Sequence, residues 1–353
     1  MALRGKALMA ERKRQHIEIC LKKDVKHSYN FWDDIQLVHN ALPELDFSDI
    51  NLETELFGAH LKAPIVISAI TGGFREAKKI NRNIAYAVQR LRIGMGVGSQ
   101  RPALRYPEQE DTYSVIKEYD IPLVIANIGA PQLVRQKKNV PITVEMAEKA
   151  MKMIDADVLA VHLNFLQEVV QPEGDLNACG CISAIRGIAR ELPVIAKETG
   201  AGFSREIALK LKGCGVKGFD AGGAGGTSFA AVEYYRAKDD RQRRMGKLFW
   251  DWGIPTPASV VNANVGLPVI ATGGIRNGLD VARSLVLGAS SAGIAGRILN
   301  AAVRSGDAVV AEVEGIIEEL RGVMFICGAD NLKSLLKTKH IVTGKTKDWL
   351  EAK

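Results

Sequence analysis

The sequence predicts an α/β protein, a closed (β/α)8 TIM barrel with an N-terminal extension and an inserted loop after its sixth strand. Eight short apolar runs, rich in β-branched residues and without polar alternation, recur along the chain with helix-compatible segments between them. That pattern belongs to parallel strands buried on both faces. Several runs end in glycine, most densely at 220–228, Asp220-Ala221-Gly222-Gly223-Ala224-Gly225-Gly226-Thr227-Ser228. Glycine at a strand end lets the backbone approach a ligand closely. The length of 353 residues, nearly half of them apolar, suits one barrel with decorations.

In chain order, residues 10–21 are compatible with a helix and carry Arg12, Lys13 and His16. Residues three and four apart share a helix face, so these cations can converge on one anion. Taken alone, the run reads first as a solvated basic helix. Residues 28–55, with Phe31, Trp32, Leu37, Leu42 and Phe47, form an irregular segment that plugs or flanks the barrel, and 56–61 is a short strand turning at Gly58. The eight barrel strands are expected within 63–70, 93–97, 122–127, 157–163, 193–198, 215–219, 267–272 and 291–295. Helices are expected at 77–91, 111–119, 144–154, 181–191, 204–212, 307–323 and 332–337.

One interval breaks the rhythm. Residues 229–252 insert a charged, aromatic segment after the sixth strand, on the face where βα loops build active sites. It reads as a surface loop or as a lid over a charged substrate. Thr256 as N-cap with Pro257 at the first helical position would end it near Gly253. The implied organisation is an N-terminal helix and pre-barrel segment (1–63), the barrel (64–306), and C-terminal helices packed on it (307–353).

The net charge of +7 is spread along the chain, which favours acidic small molecules over nucleic acid. With 6% aromatic residues and no recognisable module, a nucleic-acid partner is not expected. The five cysteines are odd in number and scattered, so neither a disulfide framework nor a zinc knuckle is indicated. Cys179 and Cys181 read as two small residues near a helix start. No apolar run is long enough for a bilayer, so the expectation is a soluble cytoplasmic protein without a membrane partner.

Polar residues gather at the strand ends: Thr71, Ser99, Gln100, Arg101, Asn127, His162, Asn164, Gln167, Glu168, Lys197, Glu198, Thr227 and Arg276. An ammonium at Lys197, inside the barrel, requires an anion or an electron-rich acceptor to offset its desolvation. Gly273, Gly274 and Arg276 after the seventh strand, with Ala295 and Gly296 after the eighth, match the loops that hold a phosphate in this fold, and FMN is a natural occupant. No G-x-x-x-x-G-K-[ST] occurs, which excludes a P-loop, and a dinucleotide fingerprint is missing.

Six stretches, Ile70-Thr71-Gly72-Gly73, Gly98-Ser99-Gln100-Arg101, His162-Leu163-Asn164-Phe165-Leu166-Gln167-Glu168, Lys197-Glu198, Gly225-Gly226-Thr227-Ser228 and Gly273-Gly274-Ile275-Arg276, stand with Arg12, Lys13 and His16. Together they resemble type 2 isopentenyl diphosphate isomerase, from about residue 12 to 297. The glycine motifs are shared by many FMN barrels, whereas the His-x-Asn-x-x-Gln-Glu cluster with the N-terminal Arg-Lys-x-x-His is specific. Phe229 departs from relatives that carry tryptophan.

The resemblance implies flavin contacts at Ala69, Ile70, Thr71, Gly72, Ser99, Asn127, Lys197 and Thr227, with the flavin phosphate at Gly274, Arg276, Ala295 and Gly296. It implies substrate contacts at Arg12, Lys13, His16, Ser99, Arg101, His162, Asn164 and Gln167, and Mg2+ at Glu168. Gln167, Glu233 and Lys197 would serve catalysis. The implied reaction converts isopentenyl to dimethylallyl diphosphate by a 1,3-allylic proton shift with reduced FMN as acid and base, NADPH as reductant, and a homotetramer or homo-octamer as assembly. The alternative is an FMN-dependent 2-hydroxy-acid oxidase or an oxidoreductase like inosine-monophosphate dehydrogenase. Those need a histidine beside an arginine after a late strand, or a cysteine in the loop after strand six, and residues 222–228 contain neither.

Overall fold

The computed structural model describes residues 2–137 and 139–352. Its centre is a closed barrel of eight parallel strands: β1 (Ile65–Ile67), β2 (Gly94–Gly96), β3 (Leu123–Gly129), β4 (Val158–Leu163), β5 (Val194–Glu198), β6 (Gly218–Asp220), β7 (Val269–Thr272) and β8 (Ser291–Ile294). All eight lie where the apolar runs predict them. The ladder closes between β8 and β1, with Gly293 opposite Val66. Inside, Val66, Leu123, Ile125, Val158, Ile195 and Ile270 pack with Leu56 and Leu61. The hairpin of Thr54–Leu56 and Ala59–Leu61 thus plugs the bottom, where Phe57 leaves no room for a side chain at Gly218. The open end of the barrel is the end where the strands finish.

Local chemistry places the elements around that end. Helix α1 (Ala2–Lys22) is longer than the basic run and is not a solvated surface helix, because Arg12, Lys13 and His16 turn toward the barrel mouth. A short helix, α2 (Phe165–Val170), follows β4 directly. The insertion is a helical pair and not a loop: α3 (Phe229–Arg236) is capped by the Ser228 hydroxyl and α4 (Asp240–Leu248) by the Asp239 carboxylate. Thr256 is not the expected N-cap. Its buried hydroxyl donates to the Ala224 carbonyl at 2.9 Å, which ties the helix Thr256–Ala263 to the glycine loop after β6.

Residues 111–119 divide into a helical turn, Asp111–Ser114, and a 3-10 turn, Val115–Glu118. A strand pairing escaped the sequence reading: Ile35–Leu37 runs antiparallel to His340–Val342. Three-residue strands paired across the whole chain leave no periodicity to detect. The long helix Gly306–Ile326 packs on Ala77–Leu91, and no helix among the described residues is long and apolar enough to cross a membrane.

Candidate active site

A cavity of about 900 Å³ opens at the C-terminal ends of the strands. Every site residue implied by the resemblance lines it except two, and of the strand-end polar residues Gln100 also falls outside, its amide bonded to the Ala150 carbonyl and the Asn127 amide. Gly72 sits behind the wall, where any side chain would collide with the Tyr113 ring, so its glycine serves packing. Glu233 lies one layer out, behind His16 and Gln167. Sequence reasoning missed Ser68, Gln132 and His27, which also line the cavity, together with their supports Asp175, Asp220 and Arg236. Asp220 carried a signal, as the acidic residue closing an apolar strand directly before the glycines. The others are set by tertiary contact alone.

One side of the cavity is cationic. Arg12, Lys13 and Arg101 converge there, and burial depresses all three pKa values. For Lys13, burial and the neighbouring Arg12 and Arg101 charges bring the ammonium down to about 7. Its Nζ donates to the Ser99 carbonyl at 2.9 Å. Arg101 pairs with Asp175 at 2.9 Å, but its Nε is buried without a partner. Three repelling cations with one close carboxylate between them are a site for a multiply charged anion.

Beyond these, His162 Nδ1 donates to the Asn127 amide oxygen at 2.7 Å. Burial, then the charges of Lys197, Lys13 and Arg101, bring its pKa down to about 3, so the ring is neutral. Glu168 is buried, with Asn164 Nδ2 on one oxygen at 3.0 Å, and Gln171 and the Asp175 amide on the other. Burial raises its pKa. Among the described residues no three His, Cys, Asp or Glu side chains form a ready metal cage.

A third cluster joins three helices. The Glu233 carboxylate receives His16 Nε2 at 2.9 Å from α1, Gln167 Nε2 at 3.4 Å from α2, and Arg236 Nε at 2.8 Å within α3. Burial pushes the Glu233 carboxyl up, yet the His16 and Arg236 hydrogen bonds and charges outweigh it and leave the pKa below the usual value. Burial lowers that of His16, against the opposing pull of Glu233.

The other side is backbone. A Cβ at Gly226 would stand 2.5 Å from the Gly274 amide, and one at Gly98 would stand 2.6 Å from the Thr71 carbonyl carbon, so these loops pack main chain on main chain. The helix Gly296–Arg304 points its N-terminus into the cavity, and no side chain caps it. Uncapped amides beside glycine turns, with Gly273 and Gly274 at positive φ, fit a phosphate group. The FMN expected there therefore matches the residues present. Lys197 Nζ meets Asp220 at 2.6 Å, the anion its burial requires. The Glu198 carboxylate gathers the amides of Thr199, Gly200, Ala201 and Gly202 at 2.6 to 2.9 Å. Arg276 differs from expectation: it lines the cavity, but its guanidinium is committed to Asp280 at 2.8 Å and Asp33 at 2.6 Å.

Comparison with known proteins bears on this cavity. Residues 255–343 match the model of the FMN-dependent dehydrogenase family. The fold is similar to a flavocytochrome b2 variant, with a TM-score of 0.67 at 16% identity over 96% of this chain and 84% of that one. It is also similar to a mandelate oxidase variant, with a TM-score of 0.62 at 15% identity over 95% of this chain and 99% of that one. At such identities the likeness is one of fold alone. Proteins named isopentenyl-diphosphate delta-isomerase are much nearer. That of Picrophilus torridus is 47% identical over 98% of this chain and 99% of its own length, and that of Thermoplasma acidophilum is 47% identical over 98% and 100%. In Archaeoglobus fulgidus the identity is 45% over 97% of this chain and 98% of the relative. With close to half its residues shared along nearly its whole length, the chain belongs to the isopentenyl-diphosphate delta-isomerase family.

Proposed function

We propose that this protein interconverts isopentenyl and dimethylallyl diphosphate by a 1,3-allylic proton shift, with reduced FMN and no net redox change. The observation that carries the reading is one cavity with an under-compensated cationic wall on one side and a glycine-built phosphate cradle on the other. A C5 diphosphate and a flavin need those two walls together. Bound reduced FMN would supply ring nitrogens able to give and take a proton.

The chain's residues prepare that exchange. Arg12, Lys13, His16, Arg101, His162 and Asn164 bind and orient the diphosphate, with Ser99 between the two walls. Gln167 is an amide and a poor acid, so it positions the reacting groups, while Glu233 holds Gln167 and His16 in place. Lys197 provides a positive charge for an anionic reduced flavin. Ala69, Ile70, Thr71, Asn127 and Thr227 line the ring side, and the main chain of Gly274, Arg276, Ala295 and Gly296 takes the phosphate. Glu168 supplies a single carboxylate to Mg2+, whose other ligands would be diphosphate oxygens and water, a set that suits magnesium. We read NADPH as the reductant, the cytoplasm as the location, and a homotetramer or homo-octamer as the assembly.

The oxidase alternative rests on fold likeness, and residues 222–228 contain neither histidine nor cysteine to take a substrate proton or form an adduct. Incubation with isopentenyl diphosphate, FMN, Mg2+ and NADPH in deuterated buffer tests the proposal. The expected product is dimethylallyl diphosphate carrying solvent deuterium. Turnover without FMN, or hydride loss to an acceptor, would sink it.

A further inference from the structure

Residues 23–30 continue from α1 and cross the phosphate side of the cavity as a strap, with Lys26, His27 and Ser28 in its wall. We infer that this strap gates cofactor exchange and that Asp251, at the end of the inserted segment, is the residue that fastens it. The inference rests on the reading that FMN occupies the cavity.

The strap adds a short antiparallel bridge to the glycine loop. The His27 amide donates to the Gly226 carbonyl at 2.9 Å, the Ser228 amide to the Val25 carbonyl at 2.8 Å, and Lys26 pairs with Thr227. Most of what else holds it comes from the insertion, where Val25 packs on Ala231 and Val232, while Tyr29 at its far end bonds Asp34 and lies under Lys345. Asp251 accepts the Ser28 amide at 2.8 Å and the Ser28 hydroxyl at 2.9 Å, and the Trp250 indole donates to the Lys26 carbonyl at 2.8 Å. His27 is buried between these partners, 3.5 Å from the Asp251 carboxylate through Nδ1, with Nε2 unpaired. A segment held by a two-bond bridge, a small apolar cluster at Val25 and solvent-exposed bonds to Asp251 and Trp250 opens more easily than the barrel ladder beneath it.

This gives the insertion a task that neither a surface loop nor a free lid would have. It latches a cover that belongs to the N-terminal segment. The same segment carries Arg12, Lys13 and His16, so an anion held by α1 restrains the strap, and pyrophosphate and FMN each slow the other's escape. For the equilibrium part of this coupling the effect is reciprocal.

The test uses the FMN holoenzyme mixed with an excess of a flavin-scavenging apoprotein, with release read from flavin fluorescence, with and without inorganic pyrophosphate. Asp251→Ala should release FMN about tenfold faster, equivalent to about 1.4 kcal/mol, the scale of two modest hydrogen bonds. Pyrophosphate should slow release from the unsubstituted protein about threefold or more. Equal release rates for the two proteins, or no effect of pyrophosphate, overturn the inference. Should Asp251→Ala not fold, Ser28→Ala removes only one exposed hydroxyl and should still accelerate release about two- to threefold; an unchanged rate there counts against the gate. A folded protein that never retains FMN defeats the functional reading instead, so the two failures are distinguishable.

Discussion

His16 and Glu233 meet at 2.9 Å across 217 residues of sequence, and that contact docks α1 onto the inserted helix α3. Glu233 is almost fully buried and also holds Arg236 and Gln167, so one carboxylate fixes α1, the insertion and the first turn of α2. Glu233→Gln should weaken this joint without emptying the flavin site. Arg236 keeps Glu173 as a second partner, which limits the cost to about 2–3 kcal/mol of stability, below the range for a fully orphaned buried charge. We expect KM for the diphosphate to rise and kcat to fall, while the protein stays yellow. Unchanged kinetics in a destabilised variant would reduce Glu233 to a structural role.

Lys13 gives a pH signature with a definite sign. Its folded pKa is lowered to about 7, so between about 7 and the ordinary lysine range the unfolded chain binds the extra proton. Stability of the ligand-free protein should therefore rise with pH across that window, and Lys13→Met should flatten the rise. Pyrophosphate prefers the ammonium, so its affinity should fall above pH 7, by up to about tenfold per unit through this group. Thermal melts and pyrophosphate titrations from pH 6 to 10 check both slopes. Opposite slopes for stability and affinity are the diagnostic feature.

Arg276→Ala should weaken FMN binding indirectly. The guanidinium spans Asp33, in the segment following the strap, and Asp280, at the start of the helix Gly278–Val286. Removing it loosens the turn at Gly273 and Gly274, although Asp280 retains Arg283. The expected result is a lower Tm for the flavin-free protein together with reduced FMN affinity. Loss of affinity with an unchanged flavin-free Tm would instead mean direct contact with the cofactor.

Gly226→Ala isolates the backbone cradle. Its new Cβ would lie 2.5 Å from the Gly274 amide, inside van der Waals contact, and neither loop has a side chain that can yield. Overpacking of this kind costs about 1–3 kcal/mol and here displaces the Gly274 main chain, which is proposed to take the phosphate. Retained FMN affinity, measured by fluorescence quenching, would place the phosphate elsewhere.

Legibility in the sequence followed the physics of each element. β1 to β8 stood out because strands buried on both faces must be apolar throughout, and the glycine-rich loops because close backbone packing tolerates nothing larger. The direction of α1 did not. Arg12, Lys13 and His16 have the composition of a solvated face, and only contacts with Ser99 and Glu233 show that they turn inward. The insertion carried its caps in plain sight at Ser228 and Asp239, but its charge suggested a loop. Arg276 falls in the turn after β7, as its glycine context indicates, while its partners Asp33 and Asp280 lie too far from each other in sequence to be brought together without the fold.

Glu168, the proposed Mg2+ ligand, allows metal binding to be tested apart from cofactor binding. Its carboxylate lies on the cationic side of the cavity and its oxygens are oriented by Asn164, Gln171 and the Asp175 amide, none of which belongs to the glycine cradle. Glu168→Gln keeps the volume but replaces one acceptor by a donor facing those groups, so local repacking is unavoidable. Glu168→Ala removes the carboxylate altogether and serves as the cleaner pair member. In both, FMN affinity should hold. Pyrophosphate affinity measured with and without Mg2+ should lose its magnesium dependence, because in the proposed site this carboxylate would be the protein's contribution to that ion. If magnesium still tightens pyrophosphate binding in Glu168→Ala, the ion is held by the diphosphate and water alone, and Glu168 instead organises the loop that carries Asp175 to Arg101.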